Sequence, residues 1–296
     1  MSPIRMDAPA GEAVRRLMRR TLRAIARELD KSREGASVHA ARRKIKLARS
    51  LLRLARKALS PEQFDEANQS LRAAALALAP LRSAEAMGEA VAKLRLVLKD
   101  EKAGEVLDAL AAAAGRMKRE VVTEADKAAR IAAAAGEVAR VRKAIARWTL
   151  PRRDVALFVA GMRIAYGRAR RLLRQGLASG EIALLHEARK SVIHHLHHIE
   201  VLTPLWPKLF KVWAAELQTL REAMGDLHDL DELAAELDRA DGAFAGIATR
   251  TQAEHLIAAR RKAIIAAIKD ETGHLFAEKP RNFASRIEAL WRHMAE

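Results

Sequence analysis

Residues 37–56 read SVHAARRKIKLARSLLRLAR, and residues 184–202 read LLHEARKSVIHHLHHIEVL. In the first stretch the apolar residues recur every three or four positions, which is the period of an amphipathic helix. At about 100° per residue, His39, Arg42, Arg43, Lys46, Arg49 and Arg53 fall within an arc of roughly 120°. Leu47, Leu51, Leu52, Leu54 and Leu59 take the opposite side. One face packs, and the other is a stripe of positive charge. The two stretches also align with each other. His39 matches His186, Arg42 matches Arg189 and Arg43 matches Lys190, and the same shift pairs Arg16 with Arg163, Arg23 with Arg170 and Arg27 with Arg174. A gap of one residue later brings Leu81–Glu85 onto Leu227–Asp231. Such self-similarity marks an internal duplication.

The helical period extends over the rest of the chain, with Ala, Leu, Arg, Glu and Lys as the filling residues. The pattern predicts helices near 11–31, 37–59, 61–80, 83–99, 102–149 (broken near Gly115), 152–178, 181–202, 206–224, 229–240, 247–275 and 280–295. Ser60-Pro61-Glu62-Gln63 is a helix start with a capping Ser, Pro at the first position and Gln at the third. Pro151 is expected to open a helix, Pro204 and Pro207 to break one, and Asp229 with Glu232 to cap another. No strand alternation and no hairpin turn is present. The expected fold is all-α, with two pseudo-symmetric antiparallel bundles around a basic groove or cavity. Residues 1–10 are expected to be a flexible N-terminus before one domain over 11–296, with halves of about 11–150 and 151–296.

Composition narrows the function. The chain has 296 residues, 50% hydrophobic and 31% charged, without a single Cys. A disordered chain, a disulfide scaffold, a catalytic Cys and thiolate metal sites are thereby excluded. No secretory leader and no membrane-length apolar stretch is found, so a soluble cytoplasmic protein with no membrane partner is expected. Lys and Arg number 54 against 37 Asp and Glu, a net +17. That excess points to a polyanionic partner.

The segment from Ser37 to Lys57 holds eight Lys/Arg and no acid. Like charges one turn apart repel by a few tenths of a kcal/mol per pair, so an anion is the natural compensation. The segment 12–30 repeats the device with Arg16, Arg19, Arg20, Arg23 and Arg27. In the second half Arg163, Arg170 and Arg174 hold the equivalent places, and Tyr166, in the place of Arg19, could donate a hydroxyl hydrogen bond. Guanidinium forks and ammonium points both suit phosphate oxygens. The alternative for each stripe is a solvated basic face. His39 and His186 open the two basic motifs and can donate to phosphate, or each can be a core histidine bonded to a backbone carbonyl.

The acids are segregated: residues 222–241 contain eight Asp/Glu, with Arg239 the one Lys/Arg. They either hold neighbouring arginines or are simply solvated. His194, His195, His197 and His198 crowd one helix. His194 and His198 are one turn apart, which permits joint metal ligation, but no third ligand has diagnostic spacing. Polar surface or anion contact is the expected role, with no metal assigned. Gly-rich phosphate loops, His-Glu-x-x-His and Gly-x-Ser-x-Gly are all missing. His228-Asp229 alone resembles a helical metal phosphohydrolase. No enzyme activity and no cofactor is expected.

The repeat resembles CHAD proteins, the conserved-histidine α-helical domains. The resemblance is carried by His39-x-x-Arg42-Arg43-x-x-Lys46-x-x-Arg49 and His186-x-x-Arg189-Lys190. Tyr166-Gly-Arg-Ala-Arg170, Leu205-Trp206-Pro207 and Met224-Gly225-Asp226-Leu227-His228-Asp229-Leu230 extend it over roughly 11–295. It implies two helical bundles about a basic groove, binding of inorganic polyphosphate and, as in some members, association with polyphosphate granules and their proteins. The Glu-x-Glu-x-Lys strand motif of the hydrolase domain to which CHAD domains are fused is absent. Ile193, Leu196 and Glu200 interrupt the second motif where the family carries basic residues, so the first half is expected to dominate. Nucleic acid is the rival partner; single-strand readers use aromatic platforms, and here Tyr166 is the one aromatic beside the stripes. A phosphohydrolase built on His186, His194, His198, His228 and Asp229, and a granule scaffold that recruits other proteins, are the further alternatives.

Overall fold

A computed structural model describes residues 3–5, 8–34, 36, 38–97, 101–117, 123–151, 154–239, 244 and 249–294. Among these residues there are eleven α-helices and no strand. They are α1 (Ala10–Arg33), α2 (His39–Leu54), α3 (Pro61–Ala77), α4 (Pro80–Val97), α5 (Glu101–Met117), α6 (Glu124–Ala146), α7 (Val155–Ser179), α8 (Ile182–Val201), α9 (Pro207–Asp238), α10 (Arg250–Leu275) and α11 (Pro280–His293).

Local chemistry explains most boundaries. Ser60 Oγ accepts from Gln63 N while Gln63 Oε1 accepts from Ser60 N, and Pro61 opens α3, as the sequence predicts. Gly180 ends α7 at φ 71°, a left-handed conformation that L side chains resist. Elsewhere the structure corrects the sequence. Thr123 caps α6 by accepting from Asp126 N, and α5 ends at Met117, two residues past Gly115, near which the sequence expects the break. Pro151 opens nothing: α7 begins at Val155, after Asp154. The region read as two helices is one, α9, 32 residues long, so Asp229 caps no helix. The reason is visible in α9 itself, where Leu217, Leu220, Met224, Leu227, Leu230, Leu233 and Leu237 are all buried and keep one continuous apolar seam. Part of the expected flexible N-terminus is held in place. Ile4 is buried and its N–H donates to the Val201 carbonyl at 2.9 Å, and Arg20 Nη2 donates to the Pro3 carbonyl at 3.1 Å.

The helices pack as two sets. In the first, α1 neighbours α2 and α6, and α3 neighbours the same two, so the four close on themselves. In the second, α7, α8, α9 and α10 follow one another, with α11 against α7. The α4–α5 hairpin crosses over: α4 packs on α9 and α5 on α10. The sets meet where α2 lies against α8 and α7. Gly161 of α7 makes a close approach to α2, since a Cβ there would collide with the carbonyl oxygens of Arg53 and Leu54. That junction positions the basic face of α2. Its apolar face (Ala41, Ile45, Ala48, Leu51, Leu52) is fully buried, and truncating one such Leu to Ala would cost about 2–5 kcal/mol.

Candidate anion-binding site

The basic stripe of α2 runs along the junction of the two helix sets. His39, Arg43 and Lys46 are exposed, while Arg42, Arg49 and Arg53 are partly buried. Burial lowers the Arg53 guanidinium to about 10, and Arg49, Arg56 and Arg168 add like-charge repulsion. Arg49 is lowered by the same burial and then by Arg72 of α3. Arg53 Nη1 donates to the Arg49 carbonyl at 3.1 Å, and Arg49 Nε is buried without a hydrogen-bond partner. Among the described residues no carboxylate pairs with Arg49 or Arg53. Both stay charged at neutral pH. Helices α2, α3 and α7 and the turn at Arg56–Ala58 thus contribute to a focus of positive charge whose members repel one another, with Arg168 also paired to Glu187 at 3.2 Å. An anion relieves this repulsion and satisfies the open donor. The sequence argument missed Arg56, Arg72 and Arg168. Arg168 was within reach, because it lies inside the Tyr166–Arg170 motif.

Behind the stripe, the α2–α8 contact is polar. Ser50 Oγ lies 2.9 Å from the Lys46 carbonyl and 2.8 Å from Nδ1 of both His194 and His197. A hydroxyl has one proton and two lone pairs. With its proton on the Lys46 carbonyl, Ser50 Oγ accepts from both rings, which fixes both as Nδ1–H tautomers. His198 Nε2 donates to the Ser50 carbonyl at 2.7 Å. Burial dominates the titration of all four histidines. It lowers His195 and His197 to about 3 and His198 to about 4, and puts His194 well below the usual imidazole range, with Arg53 the next cause there. They are neutral structural groups, which corrects the reading of this run as polar surface or anion contact. Three of them are turned toward Ser50. Among the described residues no three His, Asp or Glu side chains converge as metal ligands.

The second motif has a different environment. His186 Nε2 lies 2.9 Å from Asp231 Oδ2, whose other oxygen is 3.1 Å from Arg261. Lys190 pairs with Glu187. Arg189 is pulled down by burial and held up chiefly by Asp229, with Glu232 and Asp226 also near. The acids of α9 therefore bond His186 and lie near Arg189, whose Nε is buried without a hydrogen-bond partner, while Lys190 is held within α8 itself. Lys93 of α4 also reaches Asp226 and Asp229, at 2.7 and 3.1 Å. Ile193 and Leu196, which interrupt the stripe, are core residues. Glu200 beside them is partly buried, and burial raises its carboxyl, opposed by Arg221 of α9.

Two further groups of predicted site residues lie elsewhere. Lys44, about 160° around α2 from Lys46, bonds Glu28 of α1 at 3.1 Å, so the α2 stripe points away from α1. Arg16, Arg20, Arg23 and Arg27 line a separate groove on α1, with Arg19 exposed outside its lining. The two stripes do not join in one continuous groove through the contacts between α1 and α2. On α7, Arg163 and Arg174 are exposed, and Arg170 Nε donates to the Phe276 carbonyl at 2.9 Å. Their face lies opposite Arg168, the α7 residue near Arg53. Tyr166 is not a phosphate donor. It is buried, stacks on Phe283 at 4.4 Å between ring centroids, and gives its hydroxyl proton to the Glu278 carbonyl at 2.9 Å. Burial pushes its phenol up to about 12.

No helix among the described residues is long and apolar enough to cross a membrane. No curated protein matches the chain. A family comparison does: the CHAD domain matches residues 13–238, from α1 to the end of α9, and leaves out α10 and α11, which the resemblance over roughly 11–295 takes in. That span takes in both basic motifs and the histidine junction between them, and it places the chain in the CHAD-domain family.

Proposed function

We propose that this chain binds inorganic polyphosphate along α2 and its surroundings and does not itself turn the polymer over. The observation that carries the reading is the cluster of Arg49, Arg53, Arg56, Arg72 and Arg168, in which the half-buried members have no carboxylate partner among the described residues. Membership of the CHAD-domain family supports the choice of ligand, since polyphosphate binding is the known association of that domain. The mechanism is electrostatic. A flexible phosphate chain lies along Arg42, Arg43, Lys46, Arg49 and Arg53, with His39 at its end, and releases counterions as it docks. Exposed Arg163 and Arg174 are outlying contacts.

The paired hairpins α1–α2 and α7–α8, each with a matching basic motif, support a duplicated two-bundle architecture. In this reading the second copy is less open to an outside anion, because His186 pairs with Asp231, Lys190 pairs with Glu187, and carboxylates of α9 lie near Arg189. A non-catalytic role fits His186 and His228, each of which lies beside a carboxylate, Asp231 and Glu232. Residence in the cytoplasm, on polyphosphate granules with granule-associated proteins, follows from the same ligand.

A competition titration tests the proposal. Polyphosphate and single-stranded DNA are matched in phosphate concentration at physiological salt, against the native protein and the Arg49→Ala/Arg53→Ala variant. Tighter binding of polyphosphate, lost in the variant, is expected. Tighter binding of DNA, or an unchanged affinity in a folded variant, contradicts it. Phosphate release from polyphosphate that His228→Ala abolishes would show an enzyme.

A further inference from the structure

The outer side of α1 carries a groove of about 670 Å³ lined by Arg5, Arg16, Arg20, Arg23, Arg27 and Arg142. One wall is the segment Pro3–Arg5, pinned by Arg20 to the Pro3 carbonyl and by Ile4 N to the Val201 carbonyl of α8. The other side is Arg142 of α6, and Leu17 forms part of an apolar floor. Asp30 is the one carboxylate residue of the lining among the described residues, and Glu12 pairs with Arg16 at the edge. Among the described residues no carboxylate pairs with Arg20, Arg23, Arg27 or Arg142 of this lining.

Two relationships separate this groove from the α2 stripe. The stripe points away from α1, as the Lys44–Glu28 bond shows. Helix α8 touches the two regions at different points, Ile4 on the groove side through Val201 and Ser50 of α2 through His194 and His197. The geometry points to a second phosphate-polymer track on α1, independent of the first, so that one protein molecule holds two polyphosphate strands or two segments of one strand. This inference rests on the ligand proposed above.

The form of the groove favours such an occupant. Arg16, Arg20, Arg23 and Arg27 succeed one another turn by turn over about 16 Å of helix. A linear polymer that repeats its charge along its length can meet each guanidinium in turn, while a compact anion reaches one or two. No aromatic ring lines the groove, so it offers no stacking platform for bases. Two tracks on one rigid body raise the effective concentration of the second segment once the first is bound, and they allow strands to be cross-linked.

The experiment uses the full chain, with tripolyphosphate as a ligand too short to span both surfaces and with long-chain polyphosphate for cross-linking. The groove variant is Arg20→Glu/Arg23→Glu/Arg27→Glu, with the Gln triple as a milder version. The stripe variant is Arg43→Glu/Lys46→Glu. All five positions are exposed, and circular dichroism checks each fold. Calorimetry should give two tripolyphosphate sites in the native protein and one in either variant. Light scattering with long-chain polyphosphate should show cross-linked assemblies for the native protein alone. A native stoichiometry of one, abolished by the stripe variant and untouched by the groove variants, overturns the second track and leaves the proposed function standing. Absence of any polyphosphate binding overturns both. Preferential binding of single-stranded DNA by the stripe variant would make the groove a nucleic-acid site and also overturn the inference.

Discussion

His198 donates its Nε2 proton to the backbone carbonyl of Ser50 across 2.7 Å, tying α8 to α2 at the point where the two helix sets meet. Its Nδ1 is buried with no partner. A second proton on this ring would therefore be a buried charge with nothing to receive it; His195 is equally enclosed, His194 nearly so, and His197 partly buried.

Acid should weaken the fold before the carboxylates titrate. For His194, His195, His197 and His198 the folded pKa lies below the unfolded value of 6.5. The unfolded chain thus binds more protons as pH falls. The stability these rings confer is complete above about pH 6.5 and is lost as pH drops toward 4 and then 3. Each histidine contributes a slope of up to about 1.4 kcal/mol per pH unit within that window. Glu28, Glu187 and Glu232 have lowered pKa values and add their loss only as pH falls from the usual carboxylate value downward. Urea unfolding at pH 7, 6 and 5 should show a steady decline. A flat profile to pH 5 would mean that these rings are solvated.

Ser50→Ala should destabilise without touching the basic stripe. It removes the oxygen that satisfies His194 and His197, and buried groups left unpaired cost about 1–3 kcal/mol. Polyphosphate affinity measured below the unfolding transition should stay close to that of the native protein. Denaturant midpoints and binding isotherms on the same variant separate the two effects.

Arg189→Met should act on stability and Arg49→Ala on binding. Removing Arg189 takes one positive charge from beside Asp229, Glu232 and Asp226 in a partly buried site and leaves Lys93 as the cation on Asp226 and Asp229, at about 1–3 kcal/mol. Lys93→Ala, which strips the other cation from Asp226 and Asp229, should cost less than about 1 kcal/mol, since Lys93 is half exposed and its pairs are screened. Parallel thermal melts and titrations should therefore reverse order between Arg189→Met and Arg49→Ala. Equal losses of affinity would mean that the α8 motif also reaches the phosphate chain.

The helices and the α2 stripe were legible because both are local patterns. Leu51 and Arg53 declare their sides within a single turn. Residues farther apart in sequence were not so readable. Nothing in residues 184–202 shows that Asp231 and Asp229 come back to His186 and Arg189. The histidine run was misread because α8 is enclosed by α2, α7 and α9, and enclosure depends on packing rather than on spacing. The continuity of α9 was readable. Its leucines keep their three- and four-residue intervals straight through Asp229 and Glu232, and a local capping pattern was allowed to outweigh that longer period.

Both ring nitrogens of His195 are buried without partners. The ring stands edge-on to Tyr166 at 5.1 Å, to Phe283 at 5.3 Å and to Trp213 at 5.9 Å between centroids. It serves as an aromatic ring and bears two polar atoms that this pocket does not satisfy. An unpaired buried polar group costs about 1–3 kcal/mol, and edge-to-face aromatic pairs contribute about 0.5–1.5 kcal/mol. Phe keeps the ring and removes the polar atoms, but it is larger, and overpacking costs about 1–3 kcal/mol where the core cannot shift. His195→Phe should therefore be close to neutral or stabilising at pH 7, and it should reduce the acid sensitivity, since one titrating group is gone. His195→Ala should lose stability at every pH, because it opens a cavity among Tyr166, Trp213 and Phe283. Urea midpoints for both variants at pH 7 and pH 5 decide the matter. A severe loss in His195→Phe at pH 7 that shrinks or vanishes in His195→Gln would show that the imidazole nitrogens are bonded after all, and that this histidine has a polar partner.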